Sequence, residues 1–235
     1  MIDQKSVAAI VLTAGEGRRY ASTSVINKTF EPLLGTPVFM YSVLSFDAHP
    51  SVDRLIVAAR PDQIPEVSRL LSDAALTKPW EVIPGGASRR DSVLACLRQS
   101  AEDYVIIQDG ARPMLRRRYI TEALTALSEY PGATIAVPAS DTVKLADENL
   151  CVKATPPRAC VWLVQTPQAF HRERLLQAHL QLDDPSLATD DCVVLERLGE
   201  RVRLLRGDTD NRKLTFPEDK EILSASLRVL LQETP

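Results

Sequence analysis

Histidine and cysteine are scarce in this 235-residue sequence, and neither is spaced as a metal site requires. The three histidines, His49, His171 and His179, are scattered, so no two share a helix face at the i, i+4 spacing of helical zinc sites. The four cysteines contain no C-x-x-C pair, which argues against a zinc knot or a dithiol redox centre. We therefore expect reduced cysteines and neither a histidine metal site nor a histidine-based triad.

Long apolar runs and an excess of basic charge are missing as well. No run reaches the roughly 18 apolar residues that a membrane span needs, and the N-terminus lacks the cleavage site of a signal peptide. The formal net charge is −3, so nucleic acid is not expected as the main partner. These features predict a cytoplasmic protein, folded as a single domain over residues 1–235 with a sizeable core.

Aliphatic runs alternate with helical patterns along most of the chain. The runs VAAIVL, RLIVAA, WEVI, YVIIQ and TIAVP are continuously apolar instead of alternating. Continuous apolar strands are buried on both faces, as in a parallel sheet covered by helices. The pattern predicts an α/β fold whose ligands bind beyond the carboxyl ends of the strands.

From Pro138 to about Phe170 the alternation of apolar runs with helical patterns stops. Two strand-like pieces, TVKLA and CVWLV, flank a polar segment, and no helix of normal length separates them. We interpret residues 138–170 as a protruding β-hairpin arm inserted in the domain. Because an isolated hairpin is marginal in water, we expect the arm to pack on a second subunit and to form a homodimer.

The segment LTAGEGRRY has the features of an anion-binding loop. Gly15 and Gly17 let the backbone approach a ligand closely, and consecutive amides can form a nest for an anion. The third glycine of the dinucleotide fingerprint is replaced by Tyr20, and no G-K-[ST] tripeptide follows as in a Walker A loop. Together with the basic residues Arg18, Arg19 and Lys28, the loop predicts a polyphosphate site, although a glycine turn alone is often structural.

Three further polar segments follow predicted strands. In IIQDGARP, Asp109 is placed to bind a hard cation, with Arg112 available as a phosphate fork. In PGGASRRDSV, a helix start with Ser88, Arg89 and Ser92 could contact a base or a sugar, although Ser88 can equally be an ordinary N-cap. The segment GDTDNRKLTFPED places Asp208, Asp210, Asn211 and Lys213 after a strand. Each segment is weak evidence singly, but their combination predicts a metal–phosphate site.

In order along the chain, these motifs resemble those of 2-C-methyl-D-erythritol 4-phosphate cytidylyltransferases. The matching motifs are A-G-x-G-x-R, G-G-x-x-R-x-x-S-V at 85–93, D-x-A-R-P at 109–113, D-T-x-K at 141–144, T-P-Q-x-F at 166–170, T-D-D at 189–191 and N-x-K-x-T-x-P-x-D at 211–219. The resemblance implies a Rossmann-like nucleotidyltransferase fold and a homodimer joined by the arm. It implies transfer of a cytidylyl group from CTP to a polyol phosphate, with release of pyrophosphate.

The resemblance also implies roles for individual residues. Arg19 and Lys28 match the basic pair that stabilises the transition state, and Arg158 and Lys213 are further catalytic positions. The implied CTP-binding residues are Ala14, Gly15, Glu16, Gly17, Arg18, Gly86, Ala87, Ser92, Asp109 and Gly110. The implied acceptor-binding residues are Asp109, Arg112, Thr142, Arg158, Thr189 and Lys213, with Arg158 reaching the partner's site from the arm. Asp109 is the implied ligand of Mg²⁺.

The sequence departs from the family pattern around the predicted lysine. Asn27, Lys28 and Thr29 replace the usual P-K-Q, and the preceding segment ASTSVIN is longer than usual. Gln108 replaces a usual histidine, and Cys96 replaces a small glycine. Two alternatives stay open: a cytidylyltransferase for another polyol phosphate such as ribitol 5-phosphate, and a non-catalytic nucleotide-binding module.

Overall fold

The structure, a computed structural model, describes residues 5–15, 27–182, 184 and 188–233. Four of the predicted site residues, Glu16, Gly17, Arg18 and Arg19, lie outside the described residues.

One mixed sheet forms the centre of the described part of the chain. Its seven strands are β1 (Val7–Leu12), β4 (Arg54–Ala59), β5 (Trp80–Pro84), β6 (Tyr104–Asp109), β7 (Gly132–Pro138), β10 (Trp162–His171) and β11 (Val202–Arg206). They lie in the order β11, β7, β10, β6, β1, β4, β5. All run in the same direction except β10, which is antiparallel to both of its neighbours. The predicted α/β fold with a mostly parallel sheet is confirmed.

Helices cover both faces of this sheet. Those of the described residues are α1 (Val38–Asp47), α2 (Ile64–Asp73), α3 (Arg89–Gln99), α4 (Arg117–Thr125), α5 (Arg172–Gln181), α6 (Asp191–Glu196) and α7 (Asp219–Glu233). Short strands β2 (Pro32–Leu33) and β3 (Thr36–Pro37) form a separate pair.

The central strand β1 explains why the apolar runs are continuous. Val7, Ala9 and Val11 belong to the core on the side of α1, α2 and α4, whereas Ala8 and Ile10 belong to the core on the side of α3, α5 and α6. Successive strand residues point to opposite faces, so a strand between two helical layers needs apolar residues at every position. A third, smaller core beneath α7 includes Leu214, Leu223 and Leu227.

The arm is shorter than predicted, and its strands are paired differently. β8 (Leu145–Ala146) pairs with β9 (Val152–Ala154) in a two-stranded hairpin. The prediction that CVWLV forms the second strand of that hairpin is wrong, because Trp162 to Val164 begin β10 and pair with β7 in the main sheet. β10 is buried from Gln165 to Phe170, and packing within the main sheet therefore decides where this apolar segment goes.

The described ranges contain no helix with the length and apolar character that would let it span a bilayer. The cysteines there are free: Cys96 and Cys192 are buried, and Cys151 and Cys160 are exposed on the arm segment.

A buried histidine at the end of α1 makes the stability of the fold depend on pH. Burial, together with the nearby charges of Arg117 and Lys78, lowers the pKa of His49 from 6.5 to about 4. Its Nδ1 accepts a hydrogen bond from the Ser51 amide, and its Nε2 lies 3.0 Å from Thr121 Oγ1. The folded protein therefore keeps His49 neutral at pH values where the unfolded chain already binds the proton.

We predict that the free energy of unfolding falls as pH drops from 6.5 to about 4, with His49 contributing about 2 to 3 kcal/mol of this decline. Urea unfolding across that range should show a smaller decline for His49→Asn, whose side-chain oxygen can still accept the Ser51 amide hydrogen bond. Equal declines in the two proteins would contradict the prediction.

Candidate functional site

The carboxyl ends of β1, β4, β5 and β6 border a cavity of about 790 Å³. This is the edge where α/β sheets bind ligands, because the loops leaving parallel strands converge there. Many of the predicted residues line the cavity: Ala14, Gly15, Lys28, Gly86, Ala87, Ser92, Asp109, Gly110 and Lys213. The other described residues that line it are Leu12, Thr29, Arg60, Ser88, Arg89 and Ala111.

Asp109, the last residue of β6, lies at the centre of a group of positive charges. Lys213 Nζ donates a 2.6 Å hydrogen bond to its Oδ2, and Arg89 Nε donates to its Oδ1 at 3.3 Å. The guanidinium of Arg112 lies 3.9 Å from Oδ2. The Asp109 amide donates to the hydroxyl of Thr166 on β10. A neighbouring strand, a helix and two loops therefore contribute to the environment of one carboxylate.

These neighbours determine the charge state of Asp109. Burial alone would raise the pKa of the carboxyl group, but Lys213, Arg89 and Arg112 outweigh it and hold the pKa below its usual 3.8. Asp109 is consequently an ionised carboxylate at neutral pH. Such a group can bind a cation or exchange its partner for one.

The loop after β5 packs directly against the loop after β1. A Cβ atom on Gly85 would lie 2.3 Å from the Ala14 side chain, so only glycine permits this approach. The next amide, that of Gly86, donates to the Ser92 hydroxyl. Ser88 caps α3 in a capping box with Asp91. The interpretation of Ser88 as an N-cap is thus confirmed. Gly86, Ala87 and the start of α3 also line the cavity.

Asn27, which replaces the usual proline of the family motif, connects two loops by side-chain hydrogen bonds. Its side-chain amide donates to the Thr13 carbonyl (3.1 Å) and to Gln63 (2.9 Å). Its side-chain oxygen accepts from the amide and the hydroxyl of Thr29. Asn27 thereby caps the short 3₁₀ helix Lys28–Phe30 and joins it to the end of β1. Lys28 lines the cavity although the usual proline is missing.

The loop that carries Lys213 is held in place by hydrogen bonds from several side chains. Asn211 is fully buried and donates to Gln165 Oε1 and to the Thr166 carbonyl. Arg112 donates to the Asn211 carbonyl at 2.7 Å. Arg112, predicted as an acceptor-binding residue, thus already holds the loop that carries Lys213. Gln108 supports the same region by donating to the Arg112 carbonyl.

Besides Arg112, which does not line the cavity, three of the described predicted residues are not brought to it by this chain. Thr142 and Arg158 are exposed on the arm segment, where Arg158 donates to the Ser140 carbonyl. Thr189 is exposed and immediately precedes Asp190, the N-cap of α6. None of the three is among the lining residues of the described cavity.

Sequence reasoning missed several charged residues at or behind the site. Arg60 follows β4 and lines the cavity, and Arg89 was predicted only as part of a helix start. Asp191 lies 2.8 Å from Arg89, and His179 lies 3.4 Å from Asp191. The available signals were the strand-end position of Arg60 and the presence of Asp191 in T-D-D. Nothing in the sequence pairs Asp191 with a residue of α3.

Comparisons with known proteins identify relatives that match nearly the whole chain. The family model described as 2-C-methyl-D-erythritol 4-phosphate cytidylyltransferase matches residues 7–229. A protein of that name from Caldanaerobacter subterraneus is 35% identical over 227 residues, covering 95% of this chain and 99% of its own length. Another of that name, from Symbiobacterium thermophilum, is 38% identical over 219 residues and covers 92% of this chain and 90% of its own.

Solved structures give the same result. The crystal structure of the 2-C-methyl-D-erythritol 4-phosphate cytidylyltransferase from Thermus thermophilus has a TM-score of 0.76 and 26% identity, covering 95% of this chain and 99% of that one. A 4-diphosphocytidyl-2C-methyl-D-erythritol synthase from Anaerococcus prevotii has a TM-score of 0.84. At 24% identity, covering 97% of this chain and 98% of its own, it supports the fold.

We predict that Asn27→Ala lowers the free energy of unfolding by about 1 to 2 kcal/mol, because a cap and a buried carbonyl lose their partners. Urea denaturation measures this. The control Gln63→Ala removes only one of the Asn27 contacts and should cost less. A loss for Asn27→Ala no larger than that of the control would refute the bridging role of Asn27.

Proposed function

The chain belongs to the 2-C-methyl-D-erythritol 4-phosphate cytidylyltransferase family, and we propose that its cavity transfers a cytidylyl group from CTP to 2-C-methyl-D-erythritol 4-phosphate. The products are 4-diphosphocytidyl-2-C-methyl-D-erythritol and pyrophosphate, a step of non-mevalonate isoprenoid synthesis. The observation that carries this proposal is the meeting of Lys28, Asp109 and Lys213 in one cavity beside the glycine segment 85–86.

The charge balance of the cavity suits a reaction between two anions. Four of the described lining residues are cationic, namely Lys28, Arg60, Arg89 and Lys213, and Asp109 is the one carboxylate among them. A phosphate monoester is already an anionic nucleophile near neutral pH and needs no strong base. The barrier arises because it must approach a triphosphate, and fixed cations lower that repulsion and stabilise charge on the equatorial oxygens.

Each part of the cavity then has a proposed role. The amides of Ala14 and Gly15, continued by Glu16, Gly17 and Arg18, receive the triphosphate. Gly86, Ala87 and Ser92 hold the cytidine, and Gly110 lies beside Asp109. Lys28 and Arg19 stabilise the transition state, and Lys213 places the acceptor phosphate. Arg112, which holds the loop of Lys213, acts on the acceptor side.

The residues present fit a magnesium ion bound together with the nucleotide. Within the described residues no three carboxylate, histidine or cysteine side chains gather into a metal site of their own. Mg²⁺ is commonly held by one or two carboxylates plus substrate phosphates, and Asp109 supplies one ionised carboxylate. We propose that Asp109 and the triphosphate together hold the ion. When bound, Mg²⁺ neutralises phosphate charge.

The arm supports a homodimer. Apolar side chains are exposed along it and at the start of β10, including Leu145, Val152, Leu163 and Val164, and Leu150 at the hairpin turn is 87% exposed. Several apolar side chains left exposed on one segment of the chain indicate a candidate protein interface. We propose that a second copy covers it, and that Thr142 and Arg158 thereby reach the acceptor site of the partner.

Cytoplasmic location stays a prediction.

The function is tested by pyrophosphate release from CTP in the presence of magnesium and a panel of polyol phosphates. Release should require CTP, the ion and 2-C-methyl-D-erythritol 4-phosphate, and chelation of the ion should abolish it. Preference for ribitol 5-phosphate would replace the proposed acceptor. Nucleotide binding without release under any acceptor would favour a non-catalytic module.

We predict that Lys28→Ala and Arg19→Ala each lower turnover by roughly 10² to 10³, because each removes a cation that faces the transition state. Steady-state assays measure the loss, and circular dichroism confirms folding. Lys5→Ala is the matched control. Lys5 pairs with Asp103 just before the amino ends of β1 and β6, whereas the cavity lies at their carboxyl ends. Near wild-type turnover of Lys28→Ala would remove Lys28 from the mechanism.

We also predict that Leu145→Asp/Val152→Asp weakens the dimer and lowers turnover, because charge then replaces apolar surface at the proposed interface and the partner's arm is withdrawn from the site. Sedimentation velocity at micromolar concentration measures the mass. Val229→Asp, at an exposed position of α7, is the control. A monomeric wild-type protein would contradict the dimer.

A further inference from the structure

A line of charged side chains leads from the cavity into the interior behind it. Asp191, at the start of α6, is 1% exposed, and its Oδ2 lies 2.8 Å from an amino nitrogen of Arg89. The same guanidinium donates through Nε to Asp109 Oδ1 at 3.3 Å. We call Asp191, Arg89 and Asp109 the charge chain. Its inner end is closed by His179, which is fully buried and 3.4 Å from the other Asp191 oxygen.

We propose that Asp191 is a positioning residue for the transfer reaction, which acts by holding Arg89 in the orientation that fixes Asp109. This inference rests on the proposed function, because it gives Asp109 its role toward the nucleotide and the acceptor. Asp191 itself does not line the cavity among the described residues. It therefore acts through Arg89 and not on a substrate.

The geometry explains why Arg89 needs a second carboxylate. A guanidinium held by one partner at 3.3 Å can rotate about its long side chain, whereas one whose nitrogens contact two different carboxylates is restricted to fewer arrangements. Burial would raise the pKa of Asp191, but Arg89 and His179 outweigh it, so the pKa lies below its usual 3.8. Both ends of the charge chain are thus ionised at neutral pH.

The surroundings of Asp191 hold it in place. Its amide donates to Gln168 Oε1 on β10, and Asp190 beside it caps α6 by accepting from the Val193 amide. The neighbouring Arg90 donates to the His179 carbonyl at 2.6 Å, which joins α3 to α5. Three helices and a strand therefore converge on the inner end of the charge chain, so that Asp191 is a rigid reference point for Arg89.

The charge chain matters when substrates arrive. In the structure Lys213 occupies Oδ2 of Asp109, and in the proposed reaction Lys213 turns to the acceptor phosphate. Asp109 then loses one of its closest partners. Arg89, held from behind by Asp191, retains Oδ1 and keeps the carboxylate facing the cavity. Without Asp191, Arg89 is free to follow the incoming phosphates, and Asp109 loses its orientation.

The test compares Asp191→Asn with Asp190→Asn in CTP-dependent pyrophosphate release. Both variants remove one negative charge from adjacent residues. Asparagine at position 190 can still accept the Val193 amide and cap α6, and it loses only the second oxygen, which accepts from Gln168 Nε2. Asp191→Asn is expected to lower kcat/KM for the acceptor by about 10-fold to 100-fold, as outer partners of functional carboxylates do. The KM for CTP should rise as well, because Asp109 helps to hold the triphosphate and its ion in the proposed function. Asp190→Asn should stay within about threefold of wild type in both parameters.

A double-mutant cycle with Arg89→Gln separates positioning from a general structural effect. If Asp191 acts through Arg89, adding Asp191→Asn to Arg89→Gln should change acceptor kcat/KM by less than about threefold. Unfolding curves of all variants establish that each is folded at the assay temperature. An acceptor kcat/KM of Asp191→Asn close to that of wild type, or a full loss that persists in the Arg89→Gln background, would overturn the proposal. Wild-type protein without turnover would instead refute the proposed function.

Discussion

The ionised carboxylate of Asp109, held below the surface by three cationic side chains, is the interaction on which the site depends. A buried charge is costly unless it is paired, so the fold must bring Arg89, Arg112 and Lys213 to the end of β6. Those three residues come from a helix, a turn and a loop far apart in the chain. The need to pair this one buried carboxylate with cations therefore constrains how the loops at the strand ends are arranged.

Side-chain hydrogen bonds to backbone groups hold these loops in place. Asn27 holds the turn of Lys28 against the end of β1, and Asn211 holds the loop of Lys213 against β10. Gly85 lets two loops touch where any side chain would collide. Loops have few backbone partners of their own, so these few residues give the cavity its shape before any ligand binds.

The arm illustrates where local pattern fails. The aliphatic pieces TVKLA and CVWLV look alike as candidate hairpin strands, yet only Leu145 and Ala146 of the first pair within the arm, while the second starts β10. Two-residue periodicity identifies a strand but not its neighbour. In this chain β7 offers a longer and better buried partner than the short hairpin does.

The sequence by itself determined the layered architecture, because strands buried on both faces must be continuously apolar, as β1 is. It also determined much of the cavity lining, since Lys28, Gly86, Asp109 and Lys213 lie at or after the ends of strands whose carboxyl ends share an edge. Only the tertiary structure decided that Asn27 replaces the usual proline by bridging two loops, and that Asp191 stands behind Arg89. Such pairs join residues far apart in the chain, and their distances depend on the packing of whole helices, which no local spacing records.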